Sequence, residues 1–119
     1  MNREVVVFER EPWWAPELRR QFANEEIPVR HCVDVASVGD VLARNGEAVV
    51  VAHLPSRERD CADLLRELPA AMVMVVADAE TVELEAPLRE AGANSFALAP
   101  MSGEELCMRI RRFWAGIAD

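Results

Sequence analysis

Val5-Val6-Val7-Phe8-Glu9-Arg10-Glu11 decides the fold: four apolar residues run without interruption between Glu4 and a charged triplet. A strand with one wet face alternates apolar and polar residues. An unbroken run too short for a helix is what a strand buried on both faces requires, and such strands belong to parallel sheets covered by helices on either side. Working outward, Ala48 to Leu54 and Met72 to Ala77 repeat the pattern, and Ile27 to Val33 and Ser95 to Ala99 are weaker versions of it. Five strands are therefore expected.

Helical spacing fills the gaps. After Pro12, Trp14, Leu18 and Phe22 recur at four-residue intervals on one face. Ser37 is expected to cap a helix ending at Asn45-Gly46. Cys61, Leu64, Leu65 and Leu68 form the next apolar face, stopped by Pro69. A fourth helix lies around Val82 to Ala91, with Pro87 marking a late start or a kink and Gly92 its end. Ser102 caps the last helix, followed by Glu104 and Glu105 in its first turn. Its apolar positions Leu106, Cys107, Ile110, Phe113, Trp114 and Ile117 cover an arc of about 120 degrees, wide enough that part of it is expected to be exposed. Alternating strands and helices with right-handed crossovers give a doubly wound α/β sandwich, a five-stranded parallel sheet in the order 2-1-3-4-5 with helices on both faces.

Composition narrows the function. At 119 residues one domain over 1–119 is expected. A net charge of -8 disfavours nucleic acid and anionic lipid, which bind basic surfaces. The Arg109, Arg111, Arg112 cluster near a helix C-terminus is read as complementing the helix dipole. No stretch approaches the roughly 18 apolar residues of a membrane span, and no secretory signal is legible at Met1-Asn2-Arg3-Glu4, so a cytoplasmic location is expected. Cys32, Cys61 and Cys107 are widely separated and read as buried thiols. His31 has no second ligand at metal spacing, and the five glycines form no phosphate-cradling motif. No metal and no cofactor is expected.

Function in such folds gathers where the strands end at their C-termini. Those positions carry Glu9 and Arg10, Ala52 and His53, Ala77 and Asp78, and Ala99 and Pro100. Over its whole length the chain resembles the receiver domain of bacterial two-component response regulators, a flavodoxin-like (βα)5 fold. Val5 to Glu11 looks like the family's first strand and acidic pair. Gly92-Ala93-Asn94-Ser95-Phe96-Ala97-Leu98-Ala99-Pro100 with Ser102, Glu104, Glu105 and Leu106 looks like its last strand, lysine-proline step and final helix.

The resemblance implies a site that this chain has altered. In the family an aspartate ending the third strand accepts a phosphoryl group, two acids after the first strand hold magnesium, and a hydroxyl and a lysine read the phosphate. Here the acceptor position falls on Ala52, or on Val51 or His53 if the register slips by one. Arg10 replaces the second acid, Ala77 the hydroxyl and Ala99 the lysine, and all thirteen basic residues of the chain are arginine. Arg10 is expected either to neutralise Glu9, Glu11 or Asp78 in the metal's place or to point into solvent.

The expected function is thus a phosphorylation-independent protein-interaction module in signal transduction, not an enzyme. The resemblance implies binding of a protein partner, or of a second copy, through the face made by helix 4, strand 5 and helix 5. Candidate residues are Phe96, Cys107, Arg111 and Trp114, with Trp13 near the surface as a further anchor. Two alternatives remain: a small-ligand sensor using the same crevice, and a diverged enzyme using Glu9, His53 and Asp78, beside which the sequence places no serine or cysteine nucleophile.

Overall fold

The computed structural model describes residues 3–116. The strands are β1 (Val5–Phe8), β2 (Val29–Cys32), β3 (Val49–His53), β4 (Met72–Ala77) and β5 (Ser95–Leu98). The helices are α1 (Trp14–Gln21), α2 (Val35–Arg44), α3 (Glu58–Glu67), α4 (Glu85–Ala91) and α5 (Gly103–Trp114). All strand pairs are parallel and the order is β2-β1-β3-β4-β5. The chain order reverses beside β1, which opens a crevice between the C-terminal ends of β1 and β3.

Strand parity divides the core in two. Val5, Val7, Val51, Met74 and Val76 face α1 and α5, meeting Trp14, Leu18, Phe22, Leu106, Cys107 and Ile110. Val6, Phe8, Val50, Ala52, Val73 and Val75 face α2, α3 and α4, meeting Val38, Val41, Cys61, Leu64, Leu65 and Leu88. Both faces of the central strands are dry, which is why their sequences do not alternate.

Two local readings are corrected or refined, and a third holds. The cap of α2 is Asp34, whose side chain accepts from the Ser37 amide; Ser37 itself lies in the first turn. Asp serves because its carboxylate is an anion at the positive end of the helix. The fourth helix does start late: a 3-10 turn over Val82–Leu84 precedes α4, and Pro87 sits in the first helical turn, where no intrahelical donor is needed. Ser102 caps α5 as expected, accepting from the Glu105 amide.

The wide stripe of α5 is explained by two partners. Leu106, Cys107 and Ile110 are buried, and Trp114 packs on Phe22 of the α1 end with ring centroids 5.7 Å apart. Phe113 and Trp114 are half-buried, so the extra width covers α1 and is not left open. Ile117 lies outside the described residues, and no described helix is long and apolar enough to cross a membrane. All three cysteines are buried and unpaired, and burial pushes the Cys61 thiol up to about 12.

Gly92 closes α4 at φ 123, a conformation that disfavours any side chain, and a Cβ there would touch nothing. Gly92→Ala should therefore destabilise through backbone strain alone, by about 1–3 kcal/mol. A thermal melt showing an unchanged midpoint would contradict that conformation.

Candidate functional site

Glu9 follows β1 directly and is 1% exposed, yet it carries a carboxylate. Its charge is met by the start of α1: Oε2 accepts from the amides of Trp13 (3.1 Å) and Ala15 (3.0 Å), and Oε1 from that of Trp14 (3.0 Å). Residue 13, at the cap position, is a tryptophan and supplies no cap of its own. A glutamate from the preceding strand takes that task, placing an anion at the positive helix end. His31 Nε2 lies 3.9 Å from Glu9 Oε2, beyond hydrogen-bonding distance.

The crevice around Glu9 has a volume of about 640 Å³. Its lining is mostly apolar, with Trp13, Trp14, Pro55, Ala99, Pro100 and Met101 as walls and Glu9, Arg10, Glu11, His53, Ser56 and Asp78 as polar groups. Six of the eight candidate crevice residues are thus brought together. Ala52 and Ala77 are not among them, because strand parity turns both into the core against α3 and α4. Hence β3 presents His53 to the crevice, and β4 is followed there by Asp78.

His53 Nδ1 lies 2.7 Å from Ser56 Oγ, which also accepts the Arg10 amide at 3.2 Å. The 3-10 turn over Leu54–Ser56 causes this, since side chains three apart eclipse in such a turn. The expectation that no hydroxyl stands beside His53 is therefore corrected. Pro55-Ser56 reads in sequence only as a strand breaker, and the His-x-x-Ser spacing was the missed signal. The pair has no third member: among the described residues no carboxylate lies within ion-pair distance of the His53 ring. Burial holds the imidazole below its ordinary value near 6.5, against the opposing pull of Glu9 and Asp78, so it is neutral at pH 7.

Asp78 is tied into its own turn. One oxygen accepts from the Thr81 hydroxyl (2.8 Å), the Thr81 amide (3.0 Å) and the Glu80 amide (3.1 Å). The Thr81 hydroxyl bond holds the carboxyl below the usual carboxylate range. Arg10 is exposed and forms no ion pair among the described residues, so Glu9 is neutralised by the α1 amides and not by Arg10. Of the two expectations for that arginine, the solvent-facing one holds.

A magnesium ion of the family's kind does not suit these residues. Both Glu9 oxygens already accept amide hydrogens, Arg10 stands beside it as a cation, and β3 contributes an imidazole where oxygen is needed. Among the described residues no three His, Cys, Asp or Glu side chains gather to hold an ion.

The partner-binding candidates fall apart in space. Trp13 is 65% exposed at the crevice mouth, with its ring edge-on to Trp14. Phe96 and Cys107 are core side chains, at 8% and 4% exposure, because strand and helix parity turn them inward. Arg111 pairs with Glu25 and lies over Phe22, and Trp114 packs on Phe22 beneath Arg3. Arg111 and Trp114 are therefore engaged with the end of α1 through Glu25 and Phe22. Leu98, at the end of the edge strand β5, is the large apolar side chain exposed on the helix 4, strand 5 surface, at 51%.

No family model and no characterised protein sequence matches the chain. Solved structures do. The receiver domain of the TMAO respiratory system response regulator TorR superposes with a TM-score of 0.80 at 18% identity, covering 97% of this chain and 98% of that one. The inactive form of the regulatory domain of the repressor of iron transport regulator RitR gives 0.80 at 18%, over 98% and 97%. A redox sensor of the streptococci that evolved from two-component response regulators gives 0.80 at 18%, over 96% of this chain and 52% of that one. This chain spans about half the length of that sensor. The fold is that of response-regulator receiver domains. At such identities the likeness establishes architecture and leaves activity to the chemistry of the site.

Two measurements test the geometry. Glu9→Ala leaves three amides of the α1 start uncapped and should destabilise by about 1–3 kcal/mol, with Glu9→Gln milder, as read from urea unfolding. Because the folded-state pKa of His53 lies below its unfolded value, the unfolded chain takes up that proton first on acidification. Stability from this group is intact above about pH 6.5 and is lost as pH falls through the folded-state midpoint. His53→Gln should flatten that part of the melting-temperature profile; an unaltered profile would mean that the ring is solvated.

Proposed function

We propose that this chain is a single-domain signalling module on the receiver fold whose surface is read by a protein partner, or a second copy, without phosphorylation. One observation carries the reading: the acid nearest the former metal position, Glu9, spends both oxygens on the first turn of α1. Phosphoryl transfer works by positioning and charge stabilisation. Here the acceptor carboxylate on β3, the second acid, the hydroxyl and the lysine are replaced by His53, Arg10, Ala77 or Asp78, and Ala99. Those groups offer a phosphoryl oxygen neither a metal nor an ammonium. The proposed contact surface is the β5 edge with α4, where Leu98 is exposed and Phe96 lies under Arg89.

A second reading, a small-ligand sensor, is favoured by the crevice itself. Its volume of about 640 Å³ falls in the ordinary range for small-molecule sites, and its walls are apolar with a few convergent polar groups. Catalysis by Glu9, His53 and Asp78 has less support, since Glu9 is bound to α1 and Asp78 to its own turn.

Incubation with acetyl phosphate and magnesium should leave the intact mass unchanged and the amide spectrum unmoved. An acid-labile acyl phosphate would overturn the proposal. For the surface, Leu98→Asp should weaken self-association or partner capture by at least about tenfold, a loss of roughly 1.4 kcal/mol, while Trp114→Ala should act on stability alone.

A further inference from the structure

We propose that Ser56 is an activated nucleophile, with His53 as its base, and that it takes the acyl group of a neutral, apolar ester bound in the crevice. The inference goes beyond both readings above. It concerns chemistry on the β3 side of the crevice and holds whether or not the β5–α4 surface meets a partner.

The hydrogen bonds around Ser56 are the first argument. Its hydroxyl oxygen accepts the Arg10 amide at 3.2 Å, and two acceptors lie within reach of its own proton: His53 Nδ1 at 2.7 Å and the His53 carbonyl at 3.4 Å. A hydroxyl bonds best at about 2.7–2.8 Å and only weakly at the longer distance. The proton therefore lies toward the imidazole, which puts the ring's own proton on Nε2 and leaves Nδ1 as the base. Burial keeps that ring neutral at pH 7, the form that accepts a proton. Nucleophile and base thus stand within hydrogen-bonding reach, the arrangement that activates an otherwise weak hydroxyl. Both residues are partly exposed and line the same crevice, so a substrate can reach them. Ser102 supplies the contrast: its hydroxyl oxygen also accepts an amide, as the cap of α5, but no imidazole bonds to it among the described residues.

The surroundings of the pair choose the substrate. Trp13, Pro55, Pro100 and Met101 give the crevice apolar walls, and its volume of about 640 Å³ admits an ester of small-molecule size. Glu9, Glu11 and Asp78 stand there against Arg10 alone, so an anionic donor such as an acyl phosphate is repelled and a neutral ester is not. Ser56 also borders a second hollow of about 240 Å³, where three guanidiniums, those of Arg10, Arg57 and Arg59, outnumber the carboxylates of Glu58 and Asp60. Negative charge that develops on the acyl oxygen during attack meets a locally positive balance on that side. In the step, Oγ bonds to the acyl carbon as its proton passes to His53 Nδ1. The bond from that carbon to the leaving alcohol oxygen then breaks, and the alcohol takes the proton from His53. The products are acyl-Ser56, free alcohol and neutral imidazole. Among the described residues no carboxylate orients the His53 ring, so attack of water on the acyl group should be slow and the acyl-serine should accumulate.

The test uses p-nitrophenyl acetate, read as a burst of nitrophenolate and as acetyl groups located by peptide mass mapping, with melting temperatures to show that each variant is folded. All thirteen basic side chains are arginine, so lysine, the usual acceptor of stray acetyl groups, is absent. The unaltered chain should release about one equivalent in the burst, with the acetyl group on Ser56 and none on Ser102. Ser56→Ala should abolish burst and label, and Ser56→Cys, which keeps a nucleophile there, should still be acetylated at position 56. His53→Gln should slow labelling by about a hundredfold or more. Labelling of the unaltered chain should also slow on acidification as His53 takes up its proton, which a merely structural hydrogen bond would not cause. A burst unchanged in Ser56→Ala, or acetyl groups confined to histidine, cysteine or the N-terminal amine, would overturn the proposal. Ser56 labelled at an unchanged rate in His53→Gln would remove His53 as the base and overturn it equally.

Discussion

A carboxylate sealed at the end of a buried strand is tolerable only where hydrogen bonds replace its water, and for Glu9 they come from the amides of Trp13, Trp14 and Ala15. That bond set fixes how α1 departs from β1. It also fixes where the tryptophan pair sits, because Trp13 and Trp14 are the residues whose amides are engaged. Trp14 is thereby pressed into the α1–α5 core at 5% exposure, while its neighbour, about 100 degrees around the helix, is left at the surface. The arrangement is self-contained: it needs no cation, metal or guanidinium, which is why Arg10 is free to face water.

Much of the architecture was legible because parallel strands announce themselves. Val5 to Phe8 and Met72 to Ala77 are apolar on both parities, and the structure places them as β1 and β4 with those bounds. Glycine, proline and serine punctuation located α4, α5 and their ends for similarly local reasons. The errors arose where two neighbouring residues share one chemistry. Asp34 and Ser37 are both good caps, and only the backbone turn decides that Asp34 acts. On β3, Ala52 and His53 stand side by side after a run of four small apolar residues, and only strand parity shows that Ala52 turns to the core while His53 borders the crevice.

Tertiary geometry supplied what periodicity could not. A helical wheel gives the width of the α5 stripe but not the element that each edge touches, so it does not show that Arg111 and Trp114 meet the end of α1. Phe22 and Glu25, more than eighty residues away in sequence, draw Arg111 toward α1. Likewise the Glu9 cap spans a charged turn that reads in sequence as an acidic pair with one member lost. The position is occupied by an acid, as in the resembling family, but the acid has a different partner.

A switch requires a ligand or modification that binds one of two states better than the other. On the proposed reading the phosphoryl group no longer supplies that difference, because Glu9 is held by α1 in the one state described. The groups still able to report an occupant are Trp13 at the mouth, His53 with Ser56 on the β3 side and Asp78 on the β4 side. Each lies on or beside a short turn outside the sheet, and the Asp78 turn leads through Val82–Leu84 into α4. An occupant that competes with Thr81 for the Asp78 carboxylate would loosen that turn and with it the start of α4. The crevice and the proposed β5–α4 surface thus share one structural element. Coupling between them would run through the hydrogen bonds of Asp78, in place of the route by which a receiver transmits a covalent mark.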